Sequence, residues 1–172
     1  MMRHLTPADY TTMAWANGKG RTIEMLRVEE GGRLKWRLSR ASVVEAGDFS
    51  LFPGVERNLT VLTGPGFDLV GDGIYLAARP LVPVAFPGDV AVRAEGVSAP
   101  SDDFNVMTAR ALPRPEVAVV TGRMHLPARG FLAIYALGPS RVNDRPIAPQ
   151  DLVLTDSAAE LDGKALVVRL LG

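Results

Sequence analysis

The chain has 172 residues, enough for one medium domain or two small units that share a core. Its 19 basic and 19 acidic residues cancel, and no basic stripe marks a surface for nucleic acid. The sequence has no cysteine, which excludes disulfides, zinc ribbons and thiol nucleophiles and suits a cytoplasmic location. Neither a signal peptide nor a run of ~18 apolar residues is present, so we expect no membrane partner.

Composition and patterning favour many short strands joined by turns. Thirteen prolines and 17 glycines are more than a helical bundle tolerates, because both residues weaken helices. In chain order, alternating or apolar segments predict a first set of strands at residues 22–28, 34–39, 49–52, 59–62, 67–70, 74–77, 82–86 and 90–92. A second set is predicted at residues 117–121, 131–137, 141–142, 152–154 and 166–171.

The segment between these two sets has a different composition. Residues 94–116 are rich in serine, aspartate, proline and charged side chains, and 104–110 could form a strand or a short helix. We interpret 94–116 as a crossover between a first unit, 1–93, and a second unit, 117–172. Two correspondences support similar halves: Gly64 matches Gly138, and Asp89 matches Asp151. The predicted fold is all-β, with two similar β-barrel halves.

Several short blocks resemble the HutD/Ves family of bacterial cupin-like proteins. They are WANGKGRTIE at 15–24, WRLSRA at 36–41, GDFSLFPGVER at 47–57, LTG at 62–64, FPGD at 86–89 and DFNVMTAR at 103–110. Lys19 departs from the family pattern, which commonly has a glycine there. The resemblance implies a bicupin, two β-barrel or jelly-roll-like cupin units in one compact chain. It also implies an association with histidine utilisation, limiting flux by binding formylglutamate or a related small carboxylate.

The sequence does not offer the ligands of a metal-binding cupin. Its two histidines, His4 and His125, are far apart in the chain, and a histidine-based site would need both to converge. If Gly64 is aligned with the glycine that closes the metal motif, Arg57 takes the place of the ligating glutamate. A cation there should repel a divalent metal and attract an anion. We therefore expect no metal and no cofactor.

The candidate ligand-binding residues are polar side chains in the family-like blocks: Asn17, Arg37, Ser39, Arg57, Asp103, Asn105 and Arg110. The planar guanidinium of Arg57 can hold a carboxylate through two parallel hydrogen bonds, although an arginine bonded to a backbone carbonyl is the alternative. Arg37 and Ser39 share one strand face, which either lines a barrel mouth or is simply exposed.

The remaining candidates also keep two interpretations. Asn105 could bind an amide and Arg110 a carboxylate, or Asp103 could form an Asx-turn and a salt bridge with Arg110. Asn17, in its glycine-rich loop, could expose backbone N–H groups to an anion. Glu24 could orient an arginine of the pocket or face solvent.

No catalytic residue is predicted, because no histidine stands beside a plausible acid or nucleophile. We expect a protein that binds a formylglutamate-like carboxylate and regulates histidine utilisation, with a homodimer as a possible assembly. Two alternatives remain open: a metal-independent cupin enzyme acting on a small acid, and a structural or interaction cupin with a filled barrel.

Overall fold

A computed structural model of the chain describes residues 1–15, 18 and 20–172, and nearly all of its regular structure is β-strand. Among the described residues the one helical segment is the short 3-10 helix Pro7–Asp9, and no helix could cross a membrane. The prediction of an all-β fold is confirmed. The described chain divides into two compact units, which we call the central unit, Thr11–Ala111, and the terminal unit, Met1–Tyr10 with Leu112–Gly172.

The central unit contains two antiparallel sheets. Its strands are β2 (Thr11–Ala14), β3 (Arg21–Glu30), β4 (Arg33–Val43), β5 (Gly47–Asp48), β6 (Val55–Thr63), β7 (Phe67–Gly71), β8 (Ile74–Ala78), β9 (Val84–Pro87), β10 (Val92–Glu95) and β11 (Ser101–Ala109). One sheet has the order β2-β3-β4-β11-β6-β9 and the other the order β5-β10-β7-β8. An apolar core between β6, β7, β9 and β10 includes Leu59, Phe67, Leu69 and Phe86.

The terminal unit is built on one antiparallel sheet. Its strands are β1 (Met2–Leu5), β12 (Glu116–Leu126), β13 (Phe131–Ala136), β14 (Ser140–Val142), β15 (Arg145–Ile147), β16 (Leu152–Thr155) and β17 (Ala159–Leu170). The sheet order is β1-β16-β13-β17-β14-β15, and β12 also pairs with β17. The core of this unit gathers Leu132, Ile134, Val153 and Leu161.

Turn chemistry explains two hairpins of the fold. Gly31 and Gly32 both have positive φ between β3 and β4, a backbone that glycine adopts without strain. Asn143 and Asp144 have φ of 48° and 63° between β14 and β15. These values belong to the primed two-residue turns that match the twist of a hairpin, and Asn and Asp tolerate them.

The unit boundaries differ from the predicted 1–93, 94–116 and 117–172. Residues 101–109, assigned to a crossover, form β11 in the middle of the six-stranded sheet between β4 and β6. Residues 2–5, to which no strand was assigned, pair along β16 near the other end of the chain. Of the two alternatives predicted for 104–110, a strand or a short helix, the strand is the one observed, and its pairing on both sides buries polar residues such as Ser101 and Asp103.

Asp89 and Asp151, the two aspartates matched in the sequence, both bond to a backbone N–H of a nearby loop. Asp89 accepts hydrogen bonds from Arg110 and from the Gly54 N–H. Asp151 accepts from the Ala148 N–H and pairs with His4. Both side chains therefore stabilise a loop of their own unit through hydrogen bonds.

The corresponding glycines differ in their surroundings. Gly64 has φ +87°, and a Cβ there would lie 2.3 Å from the Pro100 carbonyl oxygen. A Cβ at Gly138 would have no neighbouring heavy atom within 4 Å. The close approach of another backbone thus requires glycine in the first half only.

Candidate functional site

Polar side chains from three neighbouring strands of the central unit share one face of the six-stranded sheet. Asn105 on β11 lies opposite Ser39 on β4, and Met107 lies opposite both Arg37 on β4 and Arg57 on β6. Because side chains alternate between the faces of a strand, residues 103, 105 and 107 project to the same side. This polar group consists of Arg37, Ser39, Arg57, Asp103 and Asn105.

A chain of hydrogen bonds links the middle of the polar group. The Arg57 Nη2 donates to Asn105 Oδ1 over 2.8 Å, and Asn105 Nδ2 donates to Asp103 Oδ1 over 2.5 Å. These three side chains are 7%, 4% and 1% exposed, respectively. Asn105 therefore connects a buried cation to a buried acid, using its acceptor towards one and its donor towards the other.

Three aromatic rings surround the guanidinium of Arg57. Its Cζ lies 5.3 Å from the ring centroid of Phe49, 5.2 Å from that of Phe52 and 5.1 Å from that of Phe86. Aromatic faces attract a cation, but they stabilise its charge far less well than water does. The described residues thus give Arg57 an amide oxygen and three ring faces, and no carboxylate within ion-pair distance.

Two copies of a Phe-Pro-Gly sequence bring two of these rings to the site. Residues 52–54 precede β6, and residues 86–88 begin within β9. The Phe52 N–H donates to the Gly88 carbonyl over 2.7 Å, and the Gly88 N–H donates to the Val55 carbonyl over 2.7 Å. A Cβ on Gly88 would lie 2.7 Å from the Val55 oxygen and 2.8 Å from the Phe52 oxygen. Glycine at position 88 is therefore what lets the two segments meet.

Two buried polar atoms of the group have no hydrogen-bond partner among the described residues. They are the Arg57 Nε, a donor, and the Asp103 Oδ2, an acceptor when it is ionised. Burial lowers the pKa of the Arg57 guanidinium to about 10, so it is still charged at neutral pH. Burial raises the pKa of Asp103 to about 7, although its hydrogen bond from Asn105 opposes that rise.

Arg37 is held in place by Glu24 of the neighbouring strand β3. The Arg37 Nε donates to the Glu24 carboxylate over 2.7 Å, and both side chains are largely buried. Of the two interpretations of Glu24, orientation of an arginine is therefore the one observed. Repulsion by the positive charge of Arg37 also contributes to the lowered pKa of Arg57. Ser39, opposite Asn105, is 2% exposed.

The structure does not bring Arg110 into this group. Arg110 follows β11 and pairs with Asp89 and Glu56, at 2.7 Å to each carboxylate. Its backbone N–H donates to the Gly54 carbonyl over 2.8 Å. Arg110 therefore ties together the segments that carry the Phe-Pro-Gly sequences, and the alternative salt bridge with Asp103 is not formed either. Asn17, like Lys19, lies outside the described residues.

The histidines occupy separate places in the terminal unit. His4 Nε2, on β1, lies 2.7 Å from the Asp151 carboxylate, while His125, on β12, pairs with Glu160 on β17. Across residues 1–15, 18 and 20–172, no three His, Asp or Glu side chains gather as a metal site would require. The planar guanidinium of Arg57, at the centre of the polar group, has the chemistry that a carboxylate-binding residue needs.

Sequence patterns could have indicated the aromatic ring set, but periodicity could not. Residues 49–52 were predicted as a strand, whereas they form a loop before β6. The repeat of Phe-Pro-Gly at 52–54 and 86–88 was the available signal, since a motif shared by two turns suggests a shared role. The hydrogen bond of Asn105 to Asp103 could not be derived from spacing alone, because residues two apart share a face in any strand.

Solved structures with the same fold support the architecture. The structure of HutD from Pseudomonas fluorescens SBW25 in a formate condition superposes with a TM-score of 0.90 at 27% identity, covering 98% of this chain and 97% of that one. The bacterial pirin YhhW from Escherichia coli, solved with nickel(II), gives a TM-score of 0.69 at 7% identity over 99% of both chains. At that low identity the pirin shows the fold alone, which is cupin-like.

Sequence relatives agree with the structural likeness. Protein Ves of Cronobacter sakazakii is 34% identical over 143 residues, covering 79% of this chain and 77% of Ves. An uncharacterised 21.2 kDa protein from the hutC 3′ region of Pseudomonas putida is 40% identical over 110 residues, covering 61% of this chain and 57% of that protein. That relative links the family to the histidine-utilisation region. The HutD family profile matches residues 7–167. The chain therefore belongs to the HutD family.

Proposed function

We propose that the central unit binds a small carboxylate at Arg57 without a metal, and that this binding regulates histidine utilisation in the cytoplasm. The observation that carries the proposal is the burial of a charged guanidinium with no carboxylate partner among the described residues. A buried charge that is only partly compensated is costly, so an anionic ligand would stabilise the site as well as bind to it. Formylglutamate or a related acid is the ligand that the family association favours.

A ligand with two carboxylates needs a second cation, and Arg37 is better placed for this role than Arg110. Arg37 and Arg57 flank Met107 on one face of the sheet, roughly 10 Å apart at the backbone for two strand spacings. Arg110 already binds two carboxylates of its own. We therefore assign the second carboxylate to Arg37, with Glu24 holding it in position.

The proposal also covers the architecture of the whole chain. We propose that each compact unit is one cupin unit, so that the chain is a bicupin whose central unit carries the ligand. The buried polar side chains support this assignment. In the terminal unit, Ser140, Asp151, Thr155 and Arg169 all have hydrogen-bond partners, whereas among the described residues Arg57 and Asp103 of the central unit each leave one buried atom without a partner. No nucleic acid or membrane takes part in this proposal, and a homodimer is compatible with it.

One observation favours a second candidate function, a metal-independent enzyme acting on a small acid. Asp103 is buried with a pKa of about 7, which is the range a general acid or base needs at neutral pH. Ligand turnover that is abolished by Asp103→Asn would establish the enzyme. Binding without turnover favours the regulator.

The proposal is tested by calorimetric titration of the full chain with formylglutamate, glutamate and urocanate. Loss of a bidentate contact in a dry site should cost about 2–3 kcal/mol, so Arg57→Ala should bind roughly 30- to 150-fold more weakly. Arg57→Lys should recover little of that affinity, because an ammonium keeps the charge but not the planar fork.

Two further arginine variants serve as matched comparisons. Arg37→Ala should weaken the binding of dicarboxylates, whereas Arg93→Ala, which removes an exposed arginine paired with Glu95, should bind as the wild type does. If folded Arg57→Ala binds as tightly as the wild type, Arg57 is structural. If the wild type binds none of the three acids, the ligand assignment is wrong.

A further inference from the structure

The polar group of the central unit contains one buried donor and one buried acceptor that have no hydrogen-bond partner among the described residues. Arg57 Nε offers an N–H without an acceptor, and Asp103 Oδ2 offers a lone pair without a donor, both among the described residues. A ligand that satisfies both atoms must bring an acceptor to one end and a donor to the other. A plain carboxylate satisfies Arg57 and leaves Asp103 unsatisfied.

The hydrogen bonds of Asn105 limit which side chains remain able to bind the polar part of a ligand. Its oxygen accepts from Arg57 and its nitrogen donates to Asp103, so its acceptor and one of its donors are used within the protein. The role of reading the polar part of a ligand, which the sequence suggested for Asn105, then passes to Asp103. Positions 103 and 105 project side by side, roughly 7 Å apart along the strand.

We propose that Asp103 determines specificity by accepting a hydrogen bond from an uncharged N–H that stands beside the carboxylate bound to Arg57. The ligand class is then an N-acylated amino acid. An amide N–H needs one acceptor and no donor, whereas a hydroxyl would bring lone pairs that also need partners. An ammonium group would bring three donors, whereas Asp103 Oδ2 is the one acceptor of the polar group that lacks a partner among the described residues. This assignment rests on the proposed carboxylate site and adds the group that the second orphaned atom requires.

Proton linkage distinguishes the two kinds of ligand. An N–H donor binds the ionised form of Asp103, so its affinity should rise between pH 6 and pH 8. A plain dicarboxylate places a second negative charge near Asp103, so its affinity should fall over the same range. The charged groups that act on Asp103 are Arg57 from β6 and Asp102 beside it on β11. Arg37 from β4, which is paired with Glu24 from β3, acts on Arg57. The arginines keep their charge throughout this range.

The test compares three ligands on the full wild-type chain by calorimetry at pH 6 and pH 8. N-formyl-L-glutamate carries the N–H, 2-formyloxyglutarate replaces it with an ester oxygen, and glutarate lacks the group altogether. We expect the N–H ligand to bind at least tenfold more tightly than the other two at pH 8, with opposite trends in pH. Equal affinity of all three would overturn the role of Asp103 and leave the carboxylate site standing. If none of the three binds, the proposed function itself fails.

Two variants locate the effect at one carboxyl group. Asp103→Asn keeps the shape and can still accept from Asn105, but it turns an NH2 donor towards the ligand. It should therefore abolish the preference for the N–H ligand and the rise of its affinity with pH. Asp102→Asn changes the adjacent carboxylate, which contacts Ser42 on the opposite face of the sheet, and should keep both properties. A preference that survives in Asp103→Asn contradicts the proposal.

Discussion

At the scale of the residue, the central unit buries one cation and one acid without joining them directly. Arg57 and Asp103 are separated by Asn105, so each charge is only partly compensated. The sequence could identify Arg57, Asp103 and Asn105 as candidates because they are polar residues in the blocks that resemble the family. It could not predict their connectivity, which depends on the register of β11 between β4 and β6. Arg110 illustrates this dependence, since its neighbours in space are Asp89 and Glu56.

The buried acid should make stability depend on pH. The pKa of Asp103 rises from 3.8 to about 7 on folding because of burial, so the folded chain binds more protons than the unfolded chain between those values. The free energy of unfolding of the ligand-free wild type should therefore fall as pH rises through this window. Between pH 5 and pH 8 we expect a loss of about 2–3 kcal/mol relative to Asp103→Asn, measured by urea unfolding.

The same experiment has an internal control at the neighbouring residue. Asp102→Asn should keep the fall in stability, because Asp102 is only a secondary cause of the raised pKa of Asp103. Asp89, whose pKa is lowered to about 2 by its bond from Arg110, titrates below this range and does not confound it. A wild-type stability that runs parallel to that of Asp103→Asn from pH 5 to pH 8 would show that Asp103 does not change its protonation on folding.

At the scale of the element, paired turns decide whether the aromatic rings reach Arg57. Strands with clean alternation, such as residues 34–39 within β4, were predictable because burial on one face leaves a period of two. The strand β11 was obscured because both of its faces are buried and several of its buried residues are polar. Loops such as 49–54 were less predictable still, since their positions depend on backbone contacts with the segment around Gly88.

A single methyl group should disturb that turn pair. In Gly88→Ala the new Cβ would meet the Val55 and Phe52 carbonyl oxygens at 2.7 Å and 2.8 Å, so backbone must move. We expect a loss of about 2 kcal/mol or more in the free energy of unfolding, together with weaker carboxylate binding. Gly138→Ala is the control, since its Cβ has open space, and it should change stability by less than about 1 kcal/mol. Equal stability of the two variants, measured by urea unfolding, would contradict this account.

At the scale of the whole molecule, the terminal unit is completed by the first residues of the chain. Strand β1 pairs with β16 in the register Met2 to Thr155 and Leu5 to Leu152. A sequence reading from one end to the other could not find this pairing, because β1 is short and has no apolar run. A fragment of residues 117–172 would expose the edge of β16 as well as an apolar sheet face.

The two compact units should depend on each other for folding, which unfolding of the full chain and a spectrum of the fragment 117–172 can test. The full chain should unfold in a single cooperative transition, with fluorescence of Trp15 and Trp36 in the central unit coinciding with the circular dichroism of all strands. The fragment 117–172 should be unfolded or insoluble, because ~60 residues without a disulfide bury too little surface. Separate transitions in the full chain, or a well-dispersed NMR spectrum of the fragment, would contradict the predictions.

The central claim, that a small carboxylate binds to Arg57 inside the central unit, is tested most directly by a crystal structure with saturating N-formyl-L-glutamate. The account predicts a ligand carboxylate within about 3 Å of the guanidinium, with the Arg57 Nε–H donating to it. Phe49, Phe52 and Phe86 should remain around the cation, because they form its surroundings before the ligand binds. A ligand bound elsewhere, with Arg57 still contacting only Asn105 and the rings, would contradict the account.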